Sequence, residues 1–311
     1  MAATLHKVFS RFNPVDRITL IYLVLTTLLL ILGSGTYENV LEHYLVRAGM
    51  LVFMWVTVRL NEEFPGRVTR AFHQLFPLLF LVYLFPETCY LGQLFPGVLD
   101  RSIIRLEMAV FGFLPSEVFS RFFPQAWFSE LMHFGYFSFY LIILFFVVYY
   151  YRRLPALAGR RVFVFLFSFY VFYLIFIFFP SEGPHYYLPA GEEGVPGGYL
   201  FTGIMQRIML FGDRPTGAFP SSHIGMTWLM MYFFFTDKRK VFYRWLIPAV
   251  LLTFSTVYIK AHYALDVVAG LLMVPLLSWA GNTVYEWFFA SYAVPGEEPA
   301  MAETSGMPPV V

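Results

Sequence analysis

Three groups of polar side chains interrupt otherwise apolar sequence in the second half of the chain. Arg207 and the pair Arg214-Pro215 are separated by six residues, Pro220-Ser221-Ser222-His223 follows, and Ser255 leads to His262-Tyr263-Ala264-Leu265-Asp266. Two guanidinium groups are planar forks of donors suited to phosphate oxygens. Ser221 and Ser222 stand where an apolar helix begins, and a helix N-terminus offers free amides to an anion. His262 and Asp266 are four apart, so on a helix they share a face. A carboxylate placed there can bond one ring nitrogen and leave the other free to attack. Phosphoryl transfer asks mainly for positioning and charge neutralisation. The inventory supplies cations, a nucleophile, an orienting acid and a second histidine. Taken singly, each group has a plainer reading: arginines anchor spans to headgroups, Pro-Ser starts a helix, and an i, i+4 His/Asp pair is a helix-end bond.

The elements that must hold these residues are membrane helices. Of 311 residues 59% are hydrophobic and 13% charged, against about 25% charged in a soluble domain. A crossing needs roughly 20 mostly apolar residues. Spans are predicted at about Ile18–Gly33, Tyr44–Leu60, Leu75–Gln93, His133–Tyr151, Val162–Pro180, Ser222–Thr236, Trp245–Ile259 and Ala264–Tyr285. The first is read as a retained span, with no small-residue cleavage site after it. Arg47 falls inside the second and is expected to snorkel to the interface. Glu87 in the third faces the bundle interior, with no role assigned. The sixth and seventh spans are short, so their mouths must be polar. With the N-terminus cytoplasmic, fourteen Lys and Arg lie inside and seven outside, as the positive-inside rule asks. All three polar groups then face the outside.

Two connecting segments are long. Leu94–Leu131 mixes apolar and charged residues and is expected to form interfacial helices. Ser181–Ser221 is rich in Gly and Pro, lies outside, and carries His185, a candidate for headgroup contact. His6, His43, His73 and His133 have no partner pattern and are read as bystanders. Cys89, the single cysteine, allows neither an intrachain disulfide nor a cysteine-metal cluster. A net charge of +1 gives no field for nucleic acid. The predicted organisation is N-terminal spans and interfacial helices over 1–130, a catalytic helical core over 131–290 and a disordered tail over 291–311.

The three groups together resemble the motifs of the type 2 phosphatidic acid phosphatase superfamily, the lipid phosphate phosphatases. Those motifs run basic-x6-Arg-Pro, Pro-Ser-x-His and Ser-Arg-x5-His-x3-Asp. The likeness covers about Arg207–Asp266. Arg207 stands for the usual lysine, Ser222 for a glycine, and Thr256 for the arginine of the third motif, whose charge Lys260 is expected to replace. The run from Asp213 to His223 and the His-Tyr-x-x-Asp form resemble the branch of inositol phosphorylceramide synthases.

The resemblance implies an all-α polytopic membrane protein, a six-helix lipid-phosphatase-like core plus about two N-terminal spans. It implies that His262 attacks phosphorus, that Asp266 orients it, and that His223 protonates the leaving oxygen and then activates the acceptor. Arg207, Arg214, Ser221, Ser222 and Lys260 would hold the phosphate. No cofactor or metal is implied. The expected activity is hydrolysis of a lipid phosphomonoester at the extracytoplasmic face of a bacterial inner membrane, with a eukaryotic endomembrane as the other location. The alternative is transfer of a phospho-headgroup to a lipid alcohol, which would make the chain an enzyme of sphingolipid metabolism. The partners are a lipid phosphate and the membrane, and oligomeric state stays open. Two readings from other classes are an anion transporter, which predicts ionisable residues near span centres and repeat symmetry, and a non-catalytic scaffold. A CDP-alcohol phosphotransferase is set aside, because no Asp-Gly-x2-Ala-Arg run is present.

Overall fold

The structure is a computed structural model that describes residues 11–188, 194–212 and 214–290. His6, Asp213 and the tail 291–311 lie outside the described residues. Among the described residues the architecture is all-helical, and seven helices are long and apolar enough to cross a membrane. In chain order the helices are α1 (Pro14–Leu32), α2 (Val40–Glu63), α3 (Arg67–Leu75), α4 (Pro77–Gly92), α5 (Asp100–Phe111), α6 (Pro115–Phe122), α7 (Ala126–Arg153), α8 (Pro155–Phe178), α9 (Pro184–Tyr187), α10 (Leu200–Gly212), α11 (Ser222–Asp237), α12 (Arg239–Tyr258) and α13 (Ala264–Ala290). The eight predicted spans all fall on these helices, with α3 and α4 counted as one apolar span of 26 residues. The exception to full crossing length is α11, at 16 residues.

Proline sets many of the boundaries. The chain leaves α2, α6, α7 and α8 at Phe64, Phe123, Leu154 and Phe179, each followed by proline and each with φ between −123° and −136°. A residue before proline is driven out of the α region, so the helix stops there. Pro14, Pro77, Pro115 and Pro155 in turn stand in the first turn of the next helix, where a missing N–H costs nothing.

The core is dominated by phenylalanine, with Phe146, Phe165, Phe172, Phe176, Phe233 and Phe234 fully buried between α7, α8 and α11. Gly270 lets α13 approach the start of α11: a Cβ there would lie 2.6 Å from the Ser221 carbonyl. At the end of the bundle away from α5 and α6, Arg161 forks onto Asp237 at 2.6 and 2.9 Å and Tyr150 donates to the same carboxylate at 2.7 Å. Arg152, Arg153, Arg160, Lys238, Arg239 and Lys240 crowd that end.

Two expectations for the N-terminal half are corrected. Arg47 does not snorkel: it is 4% exposed, and its guanidinium meets Glu87 at 2.7 Å and the oxygens of Leu23, Thr26 and Thr27. An ion pair formed inside the bundle removes the need to reach the interface. His43, His73 and His133, for which no partner was expected, each have one. His43 bonds Glu87 at 2.8 Å, His73 bonds Asp16 at 2.9 Å, and His133 donates to the Ser129 carbonyl at 2.7 Å. The first two pairings join α2 to α4 and α1 to α3, a separation no sequence spacing reveals. The supposed outer loop 181–221 also contains α10, whose start is held by the Glu130 carboxylate of α7, which accepts from the Tyr199, Phe201 and Thr202 amides at 2.6–3.2 Å.

Candidate active site

Ser221 caps α11, its hydroxyl accepting from the Ile224 N–H at 3.4 Å, so His223 sits in the first turn. The third motif forms the turn between α12 and α13. Lys260 adopts φ 62° there, a left-handed conformation that is rare for a side chain with a Cβ. His262 N–H then donates to the Thr256 carbonyl at 3.0 Å. Asp266 closes the start of α13 by accepting the Tyr263 N–H at 2.8 Å. The two motifs are tied directly: Ser221 N–H donates to the Asp266 carbonyl at 3.0 Å.

This backbone brings the imidazoles together. His262 Nε2 lies 3.3 Å from His223 Nδ1, and His262 Nδ1 lies 2.8 Å from the Ala218 carbonyl. Asp266 Oδ2 is 3.6 Å from the same Nδ1, beyond a good hydrogen bond but close enough for a charge to be felt. The other face of His223 meets Tyr136 of α7, whose hydroxyl is 3.0 Å from Nε2, and the ring of Phe139. His262 is 3% exposed and Asp266 fully buried.

Behind His223 and Ser222 runs a cavity of about 320 Å³. Its walls come from α4 (Leu78, Leu81, Phe85), α8 (Phe165, Phe169) and α10 (Ile208, Met209) among others. Arg207 lies exposed on α10, on the helix that forms one wall, and Arg214 is exposed just beyond its end. Lys260 is differently engaged: its ammonium meets Glu117 of α6 at 2.9 Å, so its charge is already balanced within the protein. His185 is exposed, and its N–H donates to the Lys260 carbonyl at 3.0 Å.

Carboxylates from the segment before α7 support this turn, and none is legible from spacing. Asp100, fully buried, accepts from the Glu182 and Gly183 amides at 2.9 and 2.8 Å. Gly183 packs so closely that a Cβ would lie 2.9 Å from the Ala261 carbonyl, and its φ of 86° is one that glycine favours. Glu107, also fully buried, accepts the Leu265 N–H at 3.0 Å and so caps the first turn of α13. Burial pushes the Glu107 carboxyl above the usual range, against the pull of the Leu265 and Ala264 amides. The signal that could have pointed to these residues is an acid placed among apolar neighbours in an amphipathic segment. Among the described residues no three His, Cys, Asp or Glu side chains group as metal ligands.

The model of one protein family, described as the PAP2 superfamily, matches residues 101–280. No curated protein and no solved structure matches the chain. The matched stretch covers more than half of the 311 residues and takes in Glu107, Tyr136, both arginines, both histidines and Asp266. Seven bilayer-length helices around two abutting imidazoles, with the family match laid over them, make the chain an integral membrane protein of the PAP2 superfamily.

Proposed function

We propose that the chain hydrolyses a lipid phosphomonoester at the extracytoplasmic face through a phosphohistidine on His262. The observation that carries this reading is the approach of His262 Nε2 to His223 Nδ1, 3.3 Å apart, beside a mostly apolar cavity that His223 lines. The Ala218 carbonyl can only accept, so it holds a proton on His262 Nδ1 and leaves Nε2 with its lone pair outward. At 3.3 Å the two nitrogens leave no room for phosphorus between them. The incoming phosphoryl group takes the place of their hydrogen bond.

In the first step a bond forms from Nε2 to phosphorus as the bond to the leaving oxygen breaks. His223, as imidazolium, gives that oxygen its proton. Asp266 offsets the positive charge that develops on His262. In the second step His223 takes a proton from the acceptor, whose oxygen displaces His262. Arg207, Arg214, Ser221 and the Ser222 amide hold the phosphate oxygens. Lys260 shapes the turn, and its ammonium becomes a phosphate ligand only by leaving Glu117. Basic residues crowd the opposite end of the bundle, which supports an outer-face site. On this reading Arg207 and Arg214 supply the charge neutralisation that a metal otherwise would, so chelation is expected to leave turnover unchanged.

The second reading is transfer to a lipid alcohol by the inositol phosphorylceramide synthase-like branch. The apolar wall beside His223 favours it, since the wall excludes water and accepts a chain. Purified protein is given phosphatidic acid and, separately, phosphatidylinositol with ceramide. Free phosphate in the first supports hydrolysis, and a new phosphosphingolipid in the second supports transfer. His262→Ala is expected to abolish either product while the protein stays folded. Undiminished turnover in that variant rules out the covalent route.

A further inference from the structure

We propose that Tyr136 is a positioning residue for His223: its hydroxyl keeps Nε2 partnered in either protonation state and so makes Nδ1 the atom that moves the proton. The proposal rests on the two-histidine reading above and adds a residue outside the three motifs.

The protons in the resting site can be followed from one fixed end. The Ala218 carbonyl accepts from His262 Nδ1 at 2.8 Å, so a neutral His262 presents a bare Nε2. The nitrogen 3.3 Å away, His223 Nδ1, must then carry a hydrogen. A neutral His223 with its hydrogen on Nδ1 has a lone pair on Nε2. The group 3.0 Å from that lone pair is the Tyr136 hydroxyl, which therefore donates. The hydrogen bonds run from Tyr136 to His223 to His262 to Ala218.

The chemistry needs Nε2 to change its role. As an imidazolium, His223 carries hydrogens on both nitrogens, and Nε2–H then donates to the Tyr136 oxygen. Passing the Nδ1 proton to the leaving oxygen produces a neutral ring with its hydrogen on Nε2, still bonded to Tyr136. Taking a proton from the acceptor at Nδ1 restores the imidazolium. A hydroxyl can donate and accept by rotating its hydrogen. A carbonyl or an ammonium could serve only one of these states, and an unpartnered nitrogen in this apolar surround would be costly. Phe139 packs on the same ring and restricts its tilt, but offers no polar atom.

The test joins a spectrum to a rate. Nitrogen-15 histidine spectra of the purified protein, with His223 identified by its loss in His223→Ala, are expected to show His223 protonated on Nδ1. In Tyr136→Phe His262 still holds the hydrogen on Nδ1, and the Nε2 resonance is expected to move as its hydrogen bond is lost. A wild-type His223 protonated on Nε2, or a spectrum unchanged in Tyr136→Phe, overturns the proposal, and the wild-type spectrum decides even where the variant folds poorly. With phosphatidic acid in mixed micelles, Tyr136→Phe is expected to lower kcat by about tenfold or more, part of what an aimed acid-base group supplies, with KM little changed. Added to His223→Ala, Tyr136→Phe is expected to lower the rate no further, because it acts only through that ring. A structural role would lower the rate in both backgrounds alike, and that result also overturns the proposal. An active His262→Ala sinks the functional reading instead. An inactive His262→Ala beside a fully active Tyr136→Phe sinks this inference alone.

Discussion

A guanidinium and an ammonium differ less in charge than in shape, and Arg214 is where that difference becomes measurable. In the proposed mechanism Arg214 holds phosphate oxygens with a fixed fork of donors, which a point charge cannot reproduce. Arg214→Lys is expected to lower kcat/KM by about tenfold or more, equivalent to roughly 1.4 kcal/mol of transition-state binding, as read from phosphate release at saturating and limiting substrate. The two histidines could be named from the chain because three motifs in order constrain one another far more than any one does. What escaped was how the side chains are satisfied. The i, i+4 spacing places Asp266 on the right face, yet the Ala218 carbonyl is nearer to His262 Nδ1 than that carboxylate is, at 2.8 against 3.6 Å. Lys260 is a cation at the right offset, but Glu117, 143 residues away, holds it. Backbone acceptors and distant partners leave no mark in local spacing.

At the scale of elements, α5 works as a brace under α13. Its Glu107 takes an amide that an uncapped helix start would leave open. Glu107→Ala is expected to cost about 1 kcal/mol of stability, seen as a lower thermal midpoint in detergent together with reduced turnover. The isosteric Glu107→Gln has the opposite expectation. A carboxyl raised by burial binds its proton more tightly in the folded state, so its contribution is complete below the unfolded value near 4.3 and is lost as pH rises through the folded one. Glu107→Gln should therefore match or exceed wild type at neutral pH, with a flatter dependence of midpoint on pH. The helices were legible as apolar runs but their starts were not: the predicted starts at Ile18, His133 and Val162 fall inside α1, α7 and α8, because those helices run on past their apolar stretches to Pro14, Ala126 and Pro155. The α10 helix was not legible: Gly and Pro on both sides disguise thirteen helical residues as loop, and the carboxylate that caps it, Glu130, belongs to α7.

For the whole molecule, the N-terminal helices α1, α2 and α4 are fastened to one another by charges buried between them. Arg47 and Glu87 are almost entirely enclosed. Removing one partner leaves the other uncompensated, at a penalty of about 3–5 kcal/mol, while replacing both with apolar residues is often neutral or stabilising. Arg47→Met and Glu87→Met are each expected to lower the thermal midpoint sharply, and the double substitution to recover most of the loss. A transporter would also hold ionisable groups at mid-span, but this pair is closed by hydrogen bonds from α1, α2 and α4 rather than lining a passage. The pairing was invisible in sequence because its members lie 40 residues apart on different spans. The cavity beside His223 has a rim that includes Val82 and Tyr140, 76% and 39% exposed on the bundle's flank. A molecule reaching the histidines by that side arrives laterally, from among the acyl chains, without passing through water. Turnover should then follow the mole fraction of substrate in the bilayer, so that diluting the membrane with inert lipid slows the reaction while diluting the vesicles does not.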